Sequence, residues 1–295
     1  MIRSLVACLL LLITTTVVAD LTVVDDDGNT IRLPQVAQRI ISLSPHVTEL
    51  LFVIGAGDRL VATVEYSDYP PAAKQVRRVG GHNAIDLESI LALQPDLIIA
   101  WRSGNNPVQI EKLQALGIPV FINEPRHIDD IPDTARRLAV LAGKNRQAKL
   151  FIDEFEQQHA ILKQRFANRR PVKLFYEIWH QPLMTINGEH LISDVIRLCG
   201  AVNVFSEVPV LAPTVSLESV LQAVPDIIVT GGMSEARGDW LTAWQRWTEL
   251  PAVENEQLYF INPDLMQRHG PRILQGAGQL CQYVEQARRI KYANE

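Results

Sequence analysis

Seven histidines, three cysteines and five tryptophans are the side chains of this 295-residue sequence best suited to hold a metal, react, or stack on a flat guest. The histidines stand at 46, 82, 127, 159, 180, 190 and 269, and no two have the local spacing of a metal site. A fold could still gather His46, His82 and Asp264, which would make the chain an exported metal-dependent enzyme. No G-x-S-x-G elbow, P-loop, H-E-x-x-H or C-x-x-C is present. Gly276-Ala277-Gly278 falls in a helical pattern and lacks the rest of a dinucleotide fingerprint. Trp240, Trp244 and Trp247 recur at i, i+4 and i+7, the spacing of a buried helix face. The residues favour binding over covalent chemistry.

The cysteines depend on the chain's destination. Met1-Ile2-Arg3 precedes an apolar run to Val18, and Val17-Val18-Ala19 offers small residues for cleavage, so residues 1–19 read as a secretory signal. Leu5-Val6-Ala7-Cys8 resembles a lipoprotein box. Its apolar run follows the cysteine instead of preceding it, so Cys8 leaves with the signal. Cys199 and Cys281 remain, an even pair in an oxidising compartment. They form either a disulfide or two buried thiols on separate helices, because sequence does not supply Cβ geometry.

Composition narrows the classes further. With 47% hydrophobic and 21% charged residues the chain is neither disordered nor a coiled coil. A net charge of −5 without a basic block argues against a nucleic-acid partner. No apolar run beyond the signal is long enough to span a membrane.

The elements that position these residues follow a βα alternation. Leu21–Val24 and Thr30–Leu33 flank Asp27-Gly28, a hairpin signal. Buried parallel strands are expected at Arg39–Leu43, Leu60–Glu65, Asp96–Ala100 and Val120–Asn123, then at Lys173–Ile178, Asp226–Thr230 and Gln257–Ile261. Between the two sets, apolar residues near a 3.6 period predict one helix over Asn145–Asn168, ended by Arg169-Arg170-Pro171. The expectation is an α/β fold: two Rossmann-like lobes with parallel sheets, 20–143 and 171–295, joined by a single long backbone helix within 144–170. Such a rod predicts small hinge motion.

An internal echo supports two related lobes. Residues 86–100 align with 216–230 at an offset of 130, with seven of fifteen positions identical. Each copy reads as N-cap (Asp86 or Ser216), helix, Pro-Asp turn and buried strand. Glu88 and Glu218 fall in the first turns, where a carboxylate suits the helix dipole. Equivalent acidic knobs also suit a twofold-symmetric basic partner. Ligands of open parallel sheets gather beyond the carboxyl ends of strands. Those ends here carry Ser44-Pro45-His46, Tyr66, Trp101, Trp179, Gly231-Gly232 and Asp264, aromatic planes with a few polar anchors.

Taken together, these strings resemble the helical-backbone substrate-binding proteins of ABC importers, and among them the cobalamin-binding branch. The likeness runs from Arg39 to Gln286. It rests on Ile41-Ser42-Leu43-Ser44-Pro45 with Thr48-Glu49-Leu50, Tyr66-Ser67-Asp68-Tyr69-Pro70-Pro71, Ala100-Trp101-Arg102 and Gly104-Asn105. Cys199-Gly200, Asn203-Val204-Phe205, Pro271-Arg272-Ile273 and Leu280-Cys281 carry it through the second half.

The resemblance implies a periplasmic carrier, not an enzyme, monomeric when free and without an intrinsic cofactor. It would capture cobalamin or a related corrinoid in an interlobe cleft and pass it to an ABC permease dimer with its ATPase subunits. It further implies that Tyr66 and Trp101 contact the corrin, that Asp264 and Arg268 are the second lobe's polar contacts, that Glu88 and Glu218 engage permease arginines, and that Cys199 pairs with Cys281. His82 and Ala212 stand where the branch has tryptophans, and Met184 where it has phenylalanine; Trp179 offers replacement stacking area. His82 would face the guest as a hydrogen-bonding residue or as a ligand to its metal. A haem or ferric-siderophore carrier of the same fold is the alternative, with Arg102 and Arg268 available to an anionic chelate.

Overall fold

The central parallel strands are short and almost wholly buried, so they are stable only beneath helices that cover them. The computed structural model describes residues 20–81, 84–232 and 237–293. The signal segment with Cys8, and His82, lie outside the described residues.

The hairpin forms where Asp27-Gly28 placed it: β1 (Leu21–Val24) pairs antiparallel with β2 (Thr30–Leu33). In the first sheet β3 (Ile40–Ser42), β4 (Leu60–Ala62), β5 (Leu97–Trp101) and β6 (Val120–Asn123) run parallel in the order β4-β3-β5-β6. Helices α1 (Pro45–Val53), α2 (Leu87–Ala92), α3 (Pro107–Ala115) and α4 (Asp130–Ala142) belong to this lobe. The second sheet holds β7 (Val172–Glu177), β8 (Ala201–Asn203), β9 (Ile227–Thr230) and β10 (Leu258–Phe260), parallel in the order β10-β9-β7-β8. The edge strand β8 was not foreseen. Its three residues follow Cys199-Gly200 too closely to show an apolar run of their own.

Helix α5 (Asn145–Phe166) is the connecting rod, about 33 Å long at 1.5 Å per residue. It buries Ala148, Ile152, Phe155 and Phe166. Helices α6 (Leu191–Leu198), α7 (Leu217–Ala223), α8 (Arg237–Gln245), α9 (Pro251–Glu254), α10 (Pro263–Met266) and α11 (Ile273–Lys291) complete the second lobe. Because α5 packs on α1 and α4 on one side and on α6 and α11 on the other, one helix is shared by both lobes. Among the described residues no helix is long and apolar enough to cross a membrane.

The sequence echo is a structural repeat. Asp86 and Ser216 each cap their helix by accepting from the amide three residues on, at 3.1 Å in both copies. Gln94 and Val224 occupy equivalent positions, and both take left-handed backbone conformations (φ 46° and 49°) just before Pro95 and Pro225. The carboxylate of Asp96 then accepts from the Arg39 amide (3.0 Å), as that of Asp226 accepts from Lys173 (2.7 Å). The same two cations reach back to the ends of the preceding helices: Arg39 donates to the Leu93 carbonyl and Lys173 to that of Ala223. A shared set of side-chain bonds therefore fixes where each helix stops and each central strand begins.

Cys199 and Cys281 are joined by a disulfide that ties the end of α6 to α11. Trp240 and Trp244 are buried, and Trp244 packs edge-on against Phe175, so this stripe serves the core as its spacing indicated.

Candidate ligand-binding cleft

Strand β5 delivers Trp101 at its carboxyl end, and two neighbours fix the ring. Asn105 accepts from the Trp101 amide (2.7 Å) and donates to the Leu43 carbonyl (2.9 Å). A Cβ on Gly104 would fall 1.9 Å from the indole, so a residue without a side chain is required there. Opposite, the chain after β7 doubles back: Met184 donates its amide to the Trp179 carbonyl (2.9 Å) and accepts from the Ile178 amide (3.0 Å). This brings Met184 beside Trp179, whose indole N–H donates to the Gln181 carbonyl (2.8 Å) and whose ring stands edge-on to Trp240.

Between these walls lies a cleft of about 440 Å³. Trp101 and Ser103 form the first-lobe side; Trp179, Met184, Ile178, Ile192, Leu211 and Ala212 form the second. Gln267, His190 and His269 complete the floor. None of the described lining residues is charged.

The floor is also a seam between lobes. His46 and Trp101 of the first lobe meet His269 of the second, with ring centroids 6.0 and 5.7 Å away, and His190 stands edge to face with His269 at 4.8 Å. His46 is tied to the Asn123 side-chain oxygen at 2.9 Å. Burial lowers its pKa from 6.5 to about 4, outweighing that bond. Burial, helped by the positive charge of Arg126, lowers His190 to about 4 as well. His269 is pushed well below its ordinary value by burial first, then by His190, His46 and Arg126.

The remaining expected residues fall elsewhere. Tyr66 is 63% exposed with φ 62° and is not part of this cleft's lining. Asp264 pairs with Arg268 at 2.9 Å. Arg268 also reaches across to the first lobe, to Glu49 (3.1 Å) and Asp68 (2.8 Å), and Arg272 binds Glu49 through two nitrogens (2.8 and 2.7 Å). Burial opposes ionisation of Asp68, yet its bond with Arg268 holds the carboxyl below the usual range. Arg102 pairs with Asp27. Glu88 and Glu218 are both exposed in the first turns of α2 and α7.

The profile described as periplasmic binding protein matches residues 40–265. The chain belongs to that family. As a periplasmic binding protein it is 39% identical over 256 residues to the vitamin B12-binding protein of Vibrio cholerae serotype O1 (strain ATCC 39541 / Classical Ogawa 395 / O395), covering 87% of this chain and 92% of the relative. The crystal structure of the periplasmic vitamin B12 binding protein of Vibrio cholerae superposes with a TM-score of 0.81 at 38% identity, over 86% of this chain and 98% of that one. The heme-binding protein RhuT from Roseiflexus sp. RS-1 shares the fold, with a TM-score of 0.73 at 22% identity, over 85% of this chain and 99% of that one.

Of the residues named for a metal-dependent enzyme, His46 hydrogen-bonds Asn123 and Asp264 pairs with Arg268, while His82 lies outside the described residues. Sequence reasoning missed His190, His269 and Gln267. His190 carries only the signal of a polar residue ahead of a helix, and His269 carries none, because their meeting depends on tertiary packing.

The buried imidazoles predict an acid-sensitive fold. Above pH 6.5 they are neutral in both states and cost nothing. As pH falls from 6.5 toward 4 the unfolded chain takes up protons that folded His46 and His190 refuse, so stability declines across that window. Calorimetric melting temperatures should fall steadily from pH 6.5 to 5, before most carboxylates titrate. The fall should be shallower in His46→Gln; a flat profile over that range contradicts the neutral cluster.

Proposed function

We propose that this periplasmic binding protein captures cobalamin or a related corrinoid in the cleft between its lobes and delivers it to an ABC importer, without altering it. The observation that carries the choice of guest is the uncharged, aromatic cleft, in a chain whose relative is a vitamin B12-binding protein. A corrinoid bears neutral amide side chains around an apolar ring. Haem and ferric siderophores bring carboxylates or other anionic groups, which need a cation once water is excluded. Arg102 is already paired with Asp27, and Arg268 with Glu49, Asp68 and Asp264, so neither brings such a guest an uncompensated charge.

We assign guest stacking and packing to Trp101, Trp179 and Met184. On the resemblance we add Tyr66, His82, Asp264 and Arg268 as further guest contacts. Glu88 and Glu218 are assigned to a permease dimer served by ATPase subunits. The division into lobes 20–143 and 171–295 around the 144–170 segment belongs to the same proposal, as does a monomer in the free protein.

Titration calorimetry with cyanocobalamin should give a 1:1 complex. Trp101→Ala should weaken it by about 2 kcal/mol, roughly thirtyfold, through lost apolar burial. Absence of heat with both cobalamin and cobinamide rejects the guest.

A further inference from the structure

The cleft floor contains polar groups to which the stacking scheme gives no task. His190 and His269 line the cleft, yet only 8% and 7% of their surfaces are accessible. His190 is also the N-cap of α6, and its Nδ1 accepts the Ile192 amide at 3.1 Å. A neutral imidazole that accepts through Nδ1 carries its proton on Nε2. The edge left for the cleft is thus an N–H donor rather than a lone pair. His269 meets the same ring edge to face at 4.8 Å, and its own Nδ1 is buried without a hydrogen-bond partner. Trp101 also stands edge-on to His269, at 5.7 Å.

From this geometry we infer that His190 is the specificity-determining donor of the cleft, its Nε2–H bonding a carbonyl oxygen on a side-chain amide of the guest. The inference rests on the corrinoid reading and refines it. A single uncharged donor satisfies an amide oxygen as it leaves water. The same donor leaves a carboxylate desolvated in an uncharged cleft, so the free-acid counterpart of such a guest binds poorly. The tautomer also sets a limit: with its lone pair already on the Ile192 amide, His190 does not coordinate a guest's metal.

The test uses the full mature protein with cyanocobalamin and aquocobalamin. His190→Asn retains a side-chain oxygen able to cap α6 but does not present the ring's donor; His190→Ser, a shorter cap, is the second variant. Expected are a melting temperature near that of the parent and cyanocobalamin affinity reduced by roughly tenfold in a folded variant. The spectrum of bound aquocobalamin, whose axial water exchanges for imidazole, should be unshifted in the parent. Parent binding with variant affinities within twofold of it overturns the donor role. An imidazole-type shift in the parent that disappears in His190→Asn overturns the tautomer. No binding by the parent removes the corrinoid reading itself, and the inference with it.

Discussion

Glu49→Ala should destabilise the protein by about 3–5 kcal/mol and loosen one lobe against the other. The Glu49 side chain is 2% exposed, and it accepts from Arg268 and twice from Arg272. Both arginines belong to the segment between α10 and α11, whereas Glu49 lies on α1. Truncating the carboxylate removes the counterion shared by two guanidiniums, each nearly nine-tenths covered. Asp68 and Asp264 still hold Arg268, but Arg272 keeps only the face of Tyr69, 4.0 Å from its guanidinium. Glu49→Gln, which preserves shape and one acceptor oxygen, should cost less. Urea unfolding measures the loss, and small-angle scattering should show a larger radius of gyration for Glu49→Ala. A cost under 1 kcal/mol with unchanged scattering refutes the clasp.

Reducing the disulfide, or replacing both cysteines with serine, should cost about 4 kcal/mol. The bridge closes a loop with a sequence separation of 82, and cross-linking a loop of that size removes roughly that much free energy from the unfolded chain's conformational entropy. Both cysteines are fully buried, and the surrounding polar bonds depend on their position: Arg288 donates to the carbonyls of Cys199 and Gly200. Hydrogen exchange should accelerate first around α6 and α11, with β3 and β5 of the first lobe protected longer. Unfolding midpoints that coincide in the presence and absence of reductant contradict this assignment.

Much of the architecture was legible because local chemistry sets it. The buried strands appear within two or three residues of their apolar runs, and α5 begins at Asn145 as its periodicity indicated. The 86–100 and 216–230 echo could be recognised because its caps and Pro-Asp turns act over a few residues. At the cleft, Trp101, Trp179 and Met184 were readable from strand ends and from the family resemblance. The floor was not. His190 and His269 look like ordinary scattered histidines, and only lobe packing places their rings together. Arg268 shows the converse limit: the resemblance offered it as a ligand contact, and nothing in the sequence signals that Glu49 and Asp68, from distant parts of the chain, also pair with it.

The matching helices α2 and α7 have one more effect. Each presents a glutamate from the same turn of the same motif, so the twofold-symmetric mate proposed above would be mounted in two ways that differ by a half-turn. On that proposal the degeneracy would favour association by a statistical factor of two, about 0.4 kcal/mol. A lopsided cargo would then arrive facing either half of the mate, which would have to admit it from both headings.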